Sequence, residues 1–366
     1  MSATTPVSTS KPTSKPTSAN TSAHGLIYPF ESTPAADERV ELAPGVFWLR
    51  MPFEFGINHI NLWLLEDGDG WTVIDTGFDR DSIRRVWENW IERFLGGKPI
   101  TRVIGTHMHP DHIGLAGWLV NKFDAVFYMS RTDYLLGRAM AGDTGKKAPE
   151  EGVRFYRAAG FDEKALARYR ERFGSFGDYI YPLPQSYHRM QQGDDIKIGQ
   201  YSWRVEVGRG HTPEHVCLFC PELNMLIAGD QILPKISSNV SLFPTEPNAN
   251  PLQDWIDSCW RLQDALPDDC LVLPAHNDPF YGAHKRLQSL IDSHENALTR
   301  LADICGVPRR AVDQEVFSIL FKRKINGDNF SMATGESLAH LVCLVHRGIL
   351  SYSVDTSGVG WYQKAN

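Results

Sequence analysis

Two hydrophobic periods alternate along the first third of the chain. Short apolar runs at residues 46–51, 60–65 and 71–74 read as strands, and Asp67-Gly68-Asp69-Gly70 supplies the turn between the last two. Ile83, Trp87, Trp90, Ile91 and Phe94 then recur at roughly helical spacing, and Gly96-Gly97 ends that helix. A strand at 102–105, a helix at 115–123 and a strand at 125–129 follow. This alternation predicts a layered α/β core.

Residues 131–180 break the pattern. They are helical in composition and rich in Arg, with Tyr134, Phe155, Tyr156, Tyr169, Phe173 and Phe176 scattered through them. They read as a helical insert spanning about 131–190, placed to cap the open edge of the core. Strand-like runs return at 196–198, 203–207, 216–219, 225–228 and 271–273, with a helix at 252–266 behind Pro251. The last 80 or so residues change character. Leu287, Leu290, Ile291, Ala297, Leu298 and Leu301 mark a long helix, helices near 311–321 and 331–347 follow, and 350–362 alternates around Ser357-Gly358 as a hairpin does. Three helices and a hairpin make a winged-helix outline. The expected organisation is a disordered tail at 1–24, a catalytic domain at 25–285 and a small C-terminal domain at 286–366.

Composition narrows the class. With 42% hydrophobic and 22% charged residues in 366, the chain can bury a large core, which excludes global disorder. A net charge of −7 leaves no global basic field for nucleic acid or an anionic membrane. No apolar run approaches the roughly 18 residues of a membrane-spanning helix. The Ser/Thr/Pro-rich start lacks the apolar centre of a secretory signal, so a cytoplasmic protein is expected. Cys217-x-x-Cys220 has no second pair to complete a four-thiolate zinc site, so these two read as small residues of a buried strand.

The chemistry concentrates after the strand at 102–105. There the chain reads Thr106-His107-Met108-His109-Pro110-Asp111-His112, three imidazoles and a carboxylate within six residues. An extended loop puts His107 and His109 on one side, and a helix starting near Asp111 turns His112 another way. One loop can thus serve two adjacent metals with nitrogen and oxygen ligands. His211, Asp230 and His276 each follow an apolar strand and a small residue, so all three can converge on the same sheet edge.

In this order, and each at a strand end, these residues resemble the metallo-β-lactamase superfamily of metallohydrolases over roughly residues 40–285. The resemblance implies a four-layer αβ/βα sandwich with the metals at its rim. It implies that His107, His109 and His211 bind one divalent ion, that Asp111, His112 and His276 bind a second, and that Asp230 bridges them. Zinc is the expected metal, with iron and manganese as alternatives. Asp75, in Val73-Ile74-Asp75-Thr76-Gly77, would support the site from behind rather than ligate. A bridging Asp230 is similar to the glyoxalase II-like thioesterases, lactonases and nucleases of the superfamily, not to its antibiotic-hydrolysing members. The implied reaction is hydrolysis of a small ester, thioester or lactone by a hydroxide bridging the metals, with Asp111 orienting that hydroxide through a hydrogen bond.

Other residues are weaker candidates. His215, four residues after His211, reads as a surface or structural residue, with support of the ligands from behind as the alternative. His59, with Asn58 and Asn61, is a candidate for the substrate rim, and Tyr187 and His188 for the pocket wall. Asp278 either orients a ligand or shapes a turn. Residues 154–172 carry six basic side chains against three acidic, a face for an anionic substrate such as an acyl-CoA or a solvated helix surface. From residue 300 onward eight basic side chains face six acidic, too balanced for a DNA-recognition helix. The C-terminal segment is therefore expected to pack beside the insert or to build a homodimer contact. The expected partner is a small-molecule substrate, not nucleic acid or membrane. A phosphodiesterase or endoribonuclease on the same scaffold, and a metal-loaded regulatory protein, stay open as alternatives.

Overall fold

The computed structural model describes residues 25–365 except 54, 55, 57, 326 and 328, so the expected tail at 1–24 lies outside the described residues. Seven strands form the first sheet in chain order: β1 (Val40–Ala43), β2 (Val46–Pro52), β3 (His59–Asp67), β4 (Gly70–Ile74), β5 (Ile100–Ile104), β6 (Val126–Ser130) and β7 (His188–Met190). The first four run antiparallel, and β4 to β7 pair in parallel. The parallel half needs crossovers, which are α1 (Asp81–Phe94), then α2 (Pro110–Ile113) with α3 (Ala116–Phe123), then the insert. The second sheet has the order β12-β11-β10-β9-β8, from β8 (Asp195–Ile198), β9 (Tyr201–Gly208), β10 (His215–Cys220), β11 (Met225–Gly229) and β12 (Leu271–Pro274).

Successive strand residues point to opposite faces, and here both faces are buried. Trp48, Trp63, Ile74 and Ile104 of the first sheet meet Trp203, Val205, Leu218, Ile227 and Leu273 of the second in one cluster. Their chain neighbours Leu49, Leu62, Leu64, Val73 and Val103 face the other way, onto Ile83, Trp87, Trp90 and Phe94 of α1 and Leu119 of α3. Cys217, Phe219, Leu226 and Val272 of the second sheet face outward onto α7 (Pro251–Ala265) and α8 (Ala283–Ile304). The result is the expected four-layer helix–sheet–sheet–helix sandwich. Burial on both faces explains why the strands read as near-continuous apolar runs. The tryptophans between the sheets are at most 1% exposed, so truncating one to Ala costs about 3–5 kcal/mol.

The insert contains α4 (Arg131–Gly142), α5 (Glu150–Ala159) and α6 (Glu163–Arg172), and it returns to the first sheet through β7. That return strand is three residues long and polar, with no apolar run to signal it. After α8 come α9 (Gln314–Leu320), α10 (Phe330–His346) and the hairpin β13 (Leu350–Val354) and β14 (Gly360–Lys364). Three helices and a hairpin therefore stand in the expected order. Leu287, Leu290, Leu301, Leu341 and Tyr362 of this segment share one buried cluster with the second sheet and α7. The segment also touches the insert, where Phe161 lies on Phe330 with ring centroids 5.0 Å apart. No helix of the described residues is long and apolar enough to cross a membrane.

Candidate metal centre

All seven candidate ligands lie at strand ends on one edge of the sandwich, in two groups. His107, His109, His211 and Asp230 form one, and Asp111, His112 and His276 the other; within each, the ligand atoms lie within 4.8 Å of one another. The loop after β5 supplies four of them. Pro110 sits at the first position of α2, which turns His112 back under the loop, as its fixed φ suits a helix start. Gly105 lets α2 close in, since a Cβ there would come within 2.7 Å of Ile113. Gly229 has φ of 50°, and a Cβ on it would meet the His215 ring at 2.6 Å, so glycine before Asp230 is a steric requirement.

Asp230 stands between the two groups. Its Oδ2 is 3.4 Å from His211 Nε2 and 4.0 Å from His107 Nε2, while its Oδ1 is 3.4 Å from His276 Nε2 and 3.7 Å from His112 Nε2. Asp111 Oδ2 closes the second group, 3.4 Å from His276 Nε2 and 3.6 Å from His112 Nε2. Two donors on one tetrahedral ion at about 2.1 Å sit about 3.4 Å apart, so this spacing suits an ion between them better than direct hydrogen bonds.

The far side of three of the rings fixes which nitrogen faces inward, while His109 turns its Nδ1 toward His107 Nε2 at 2.9 Å. His112 Nδ1 donates to Asp75 Oδ2 at 2.7 Å, His211 Nδ1 to the Asn239 carbonyl at 2.7 Å, and His276 Nδ1 to the His59 carbonyl at 2.9 Å. These acceptors require a proton on Nδ1, which leaves the Nε2 lone pair pointing into the site. There His112 Nε2, His211 Nε2 and Asp230 Oδ1 are buried and bond no described residue. Three orphaned buried polar atoms facing one another are costly unless a ligand joins them. The residues therefore fit metal ions.

Electrostatics agree. Burial favours a neutral His112, but the carboxylates of Asp75, Asp111 and Asp230 outweigh it and raise its pKa well above the ordinary value. Burial opposes the charged form of Asp230 as well, yet His276 and His112 hold its carboxyl well below the usual carboxylate range. Burial and the surrounding imidazoles push His107 well down, and burial with His211 takes His109 to about 3. The edge thus gathers carboxylates that stay charged, keeps His107 and His109 neutral, and favours the charged form of His112 and His276, a carboxylate field that a bound cation would meet in place of those protons.

Several residues brace this arrangement. Asp75, expected behind the site, takes a left-handed φ of 63° and bonds His112 together with the backbone and hydroxyl of Thr106. His215 is fully buried; its Nε2 accepts the Asp230 backbone N–H at 3.0 Å and its ring stacks on His107 at 4.6 Å. His59 and Asn61 are buried beneath the His276 turn, where His59 Nε2 accepts from the Asn277 backbone and Asn61 donates to the carbonyls of Pro274 and Asn277. That position makes them braces for the turn. Asp278 pairs with Arg50 at 2.8 Å and Lys235 at 3.6 Å. Tyr187 stacks on Tyr134 and His188 lies against Tyr128.

One brace had no signal in the sequence. Asp133, in the first turn of α4, is fully buried and accepts the backbone N–H of Met108 at 3.0 Å and of Glu214 at 2.7 Å. It therefore ties together the two loops that carry His107, His109 and His211. Burial raises its pKa to about 6 against the pull of those hydrogen bonds.

Comparison with known proteins agrees with the geometry. Residues 56–276 match the sequence model of the family described as the metallo-beta-lactamase superfamily. The chain belongs to the metallo-beta-lactamase superfamily. Residues 298–365 match a second family, described as the metallo-beta-lactamase-like C-terminal domain. Among solved structures, a beta-lactamase domain protein from Burkholderia ambifaria is 38% identical with a TM-score of 0.85, over 93% of this chain and 99% of that one. The superfamily fold and its C-terminal segment thus occur together in that protein. A Bacillus subtilis (strain 168) protein named "Probable metallo-hydrolase YqjP" is 24% identical over 84% of this chain and 94% of its own length. The acyl-coenzyme A thioesterase MBLAC2 of Gallus gallus is 24% identical over 65% of this chain and 80% of its own. The homologues are metallohydrolases, and the His/Asp clusters of this chain are able to bind metal ions.

Proposed function

We propose that the chain is a dinuclear metal-dependent hydrolase of a small ester, thioester or lactone. The observation that carries this reading is Asp230, whose two carboxylate oxygens each face a different pair of imidazole Nε2 atoms. His107, His109 and His211 with Asp230 Oδ2 would hold one ion, and Asp111, His112 and His276 with Asp230 Oδ1 the other. When bound, two divalent cations, with zinc best matched to this nitrogen and oxygen set, supply Lewis acidity toward an acyl oxygen and acidify a water.

The chain's own residues do the rest. Asp75, Thr106, the Asn239 carbonyl and the His59 carbonyl hold His112, His107, His211 and His276 with Nε2 inward, so four of the five rings need little reorganisation. Asp111 is the more open of the two ligand carboxylates, its side chain 19% exposed against 11% for Asp230. That places it to accept a hydrogen bond from the attacking water and orient it. No serine or cysteine nucleophile is needed. The thioesterase named among the relatives supports an acyl substrate, and the net charge of −7 supports a small molecule over nucleic acid.

The test is a hydrolysis screen of zinc- and manganese-loaded protein against acyl-CoA and glutathione thioesters, lactones, phosphodiesters and short RNAs. Turnover of an ester, thioester or lactone, abolished by chelator, is the expected result. Cleavage confined to phosphodiesters or RNA would move the reading to a nuclease.

A further inference from the structure

Between β11 and α7 the chain runs through residues 231–250 without a helix or strand. This strap grips two of the candidate ligands on one side. The Ser238 hydroxyl donates to the Asp230 carbonyl, and the Asn239 carbonyl accepts the His211 Nδ1 proton at 2.7 Å. On its other side the strap is held by the C-terminal helices. Arg286 of α8, only 8% exposed, donates to the carbonyls of Leu233 at 2.5 Å and Ile236 at 2.8 Å. Glu336 of α10 accepts from Asn239 Nδ2 at 2.9 Å, and the Gly335 carbonyl accepts from the Leu242 N–H at 3.0 Å.

Gly335 lies inside a helix, where glycine is unfavourable. A Cβ there would come within 2.7 Å of Ser241 Oγ and 2.8 Å of Ser241 Cβ. Ser241 Oγ in turn bonds Asn239 Oδ1 at 2.6 Å. Helix and strap therefore meet in van der Waals contact at the residue that fixes His211.

We infer that α8 and α10 are part of the metal centre. Through residues 233–242 they position His211 and Asp230, and Glu336, Asn239 and Gly335 are positioning residues for the ion held by His107, His109 and His211. This rests on the dinuclear reading above. An outer partner of a metal-bound histidine sets its tautomer and direction, and losing such a partner weakens metal binding 10–100-fold, by order of magnitude. The C-terminal segment thus tunes one metal's affinity from outside the ligand set.

The experiment is a zinc titration against a chromophoric chelator, with the absorption spectrum of the cobalt-loaded protein as a second readout and circular dichroism as the fold control. Glu336→Ala, Asn239→Ala and Gly335→Ala should each weaken one of the two zinc equivalents about 10–100-fold and alter the cobalt spectrum. Glu336→Gln keeps an oxygen acceptor for the Asn239 amide and should restore near wild-type affinity. Because Glu336 and Asn239 act through one bond, their double variant should be no weaker than either single one. Asn239 lies in a half-buried loop position, so Asn239→Ala carries the test if a helix variant misfolds. Wild-type protein that binds no metal would sink the dinuclear reading itself. Two tight equivalents in wild type, Glu336→Ala and Asn239→Ala alike, with an unchanged cobalt spectrum, would overturn this inference alone.

Discussion

At the metal edge, His112 and His211 are buried with one ring nitrogen bonded to the protein and the other facing a carboxylate without a hydrogen bond. Between α8 and α10, His294 and His340 are as deeply buried, yet they turn their nitrogens on each other. His294 Nδ1 and His340 Nε2 are 3.1 Å apart, and His340 Nδ1 donates to the Glu336 carbonyl at 2.8 Å. Burial, the largest cause at both, lowers their pKa values to about 3 and about 4. At His112 three carboxylates overturn the same burial effect and raise the pKa. Buried histidine alone therefore does not mark a metal site. Unpartnered ring nitrogens set against charged carboxylates do.

The contrast breaks most visibly at Asp230. Asp230→Asn keeps the shape but removes the charge that faces both groups. We expect loss of one metal equivalent and a fall in kcat beyond the roughly 100-fold upper range of an outer partner, with the fold retained by circular dichroism. Wild-type activity in this variant would remove Asp230 from its bridging place.

Next in size are the residues that hold ligands without binding metal. Asp75→Ala frees His112 Nδ1, and Asp133→Ala frees the Met108 and Glu214 amides. Each should weaken metal binding about 10–100-fold, less than removal of a ligand. Chelator competition measures this, and an affinity equal to wild type in Asp133→Ala would reduce that carboxylate to a local cap.

The smallest effect on metal binding belongs to the His294–His340 pair, which bears on stability instead, and the sign of that effect follows from the lowered pKa values. The unfolded chain protonates these rings near pH 6.5, while the folded chain resists until about pH 4 and 3. Their contribution is therefore present above pH 6.5 and is lost as the pH falls toward 3, by up to about 1.4 kcal/mol per pH unit for each ring. His294→Gln removes one such titration. The stability gap between wild type and His294→Gln, measured by urea unfolding, should shrink between pH 7 and pH 4. A gap that stays constant would show that the pair does not resist protonation.

The same contrast explains what could be read from the chain. His107, His109, Asp111 and His112 declare themselves because they crowd into one loop. The sandwich shows through because Trp48 with Leu49, or Ile104 with Val103, feed opposite layers from neighbouring positions. Asp133, Arg286 and Glu336 left no trace, because they act on backbone or amide groups of loops 25 to 97 residues away in sequence. Their type, a lone acidic or basic residue in a helix, is that of any solvated surface position. His215 reads from the sequence as a surface or structural residue, and β10 places it in the structural role, beneath Asp230. The three residues of β7 were too few and too polar to display a strand period.

The most direct test of the account is the metal content of the folded protein. Elemental analysis after gentle purification and zinc loading should give close to two ions per chain, falling to about one in Asp230→Asn. A well-folded wild-type protein that stays metal-free after loading would contradict it.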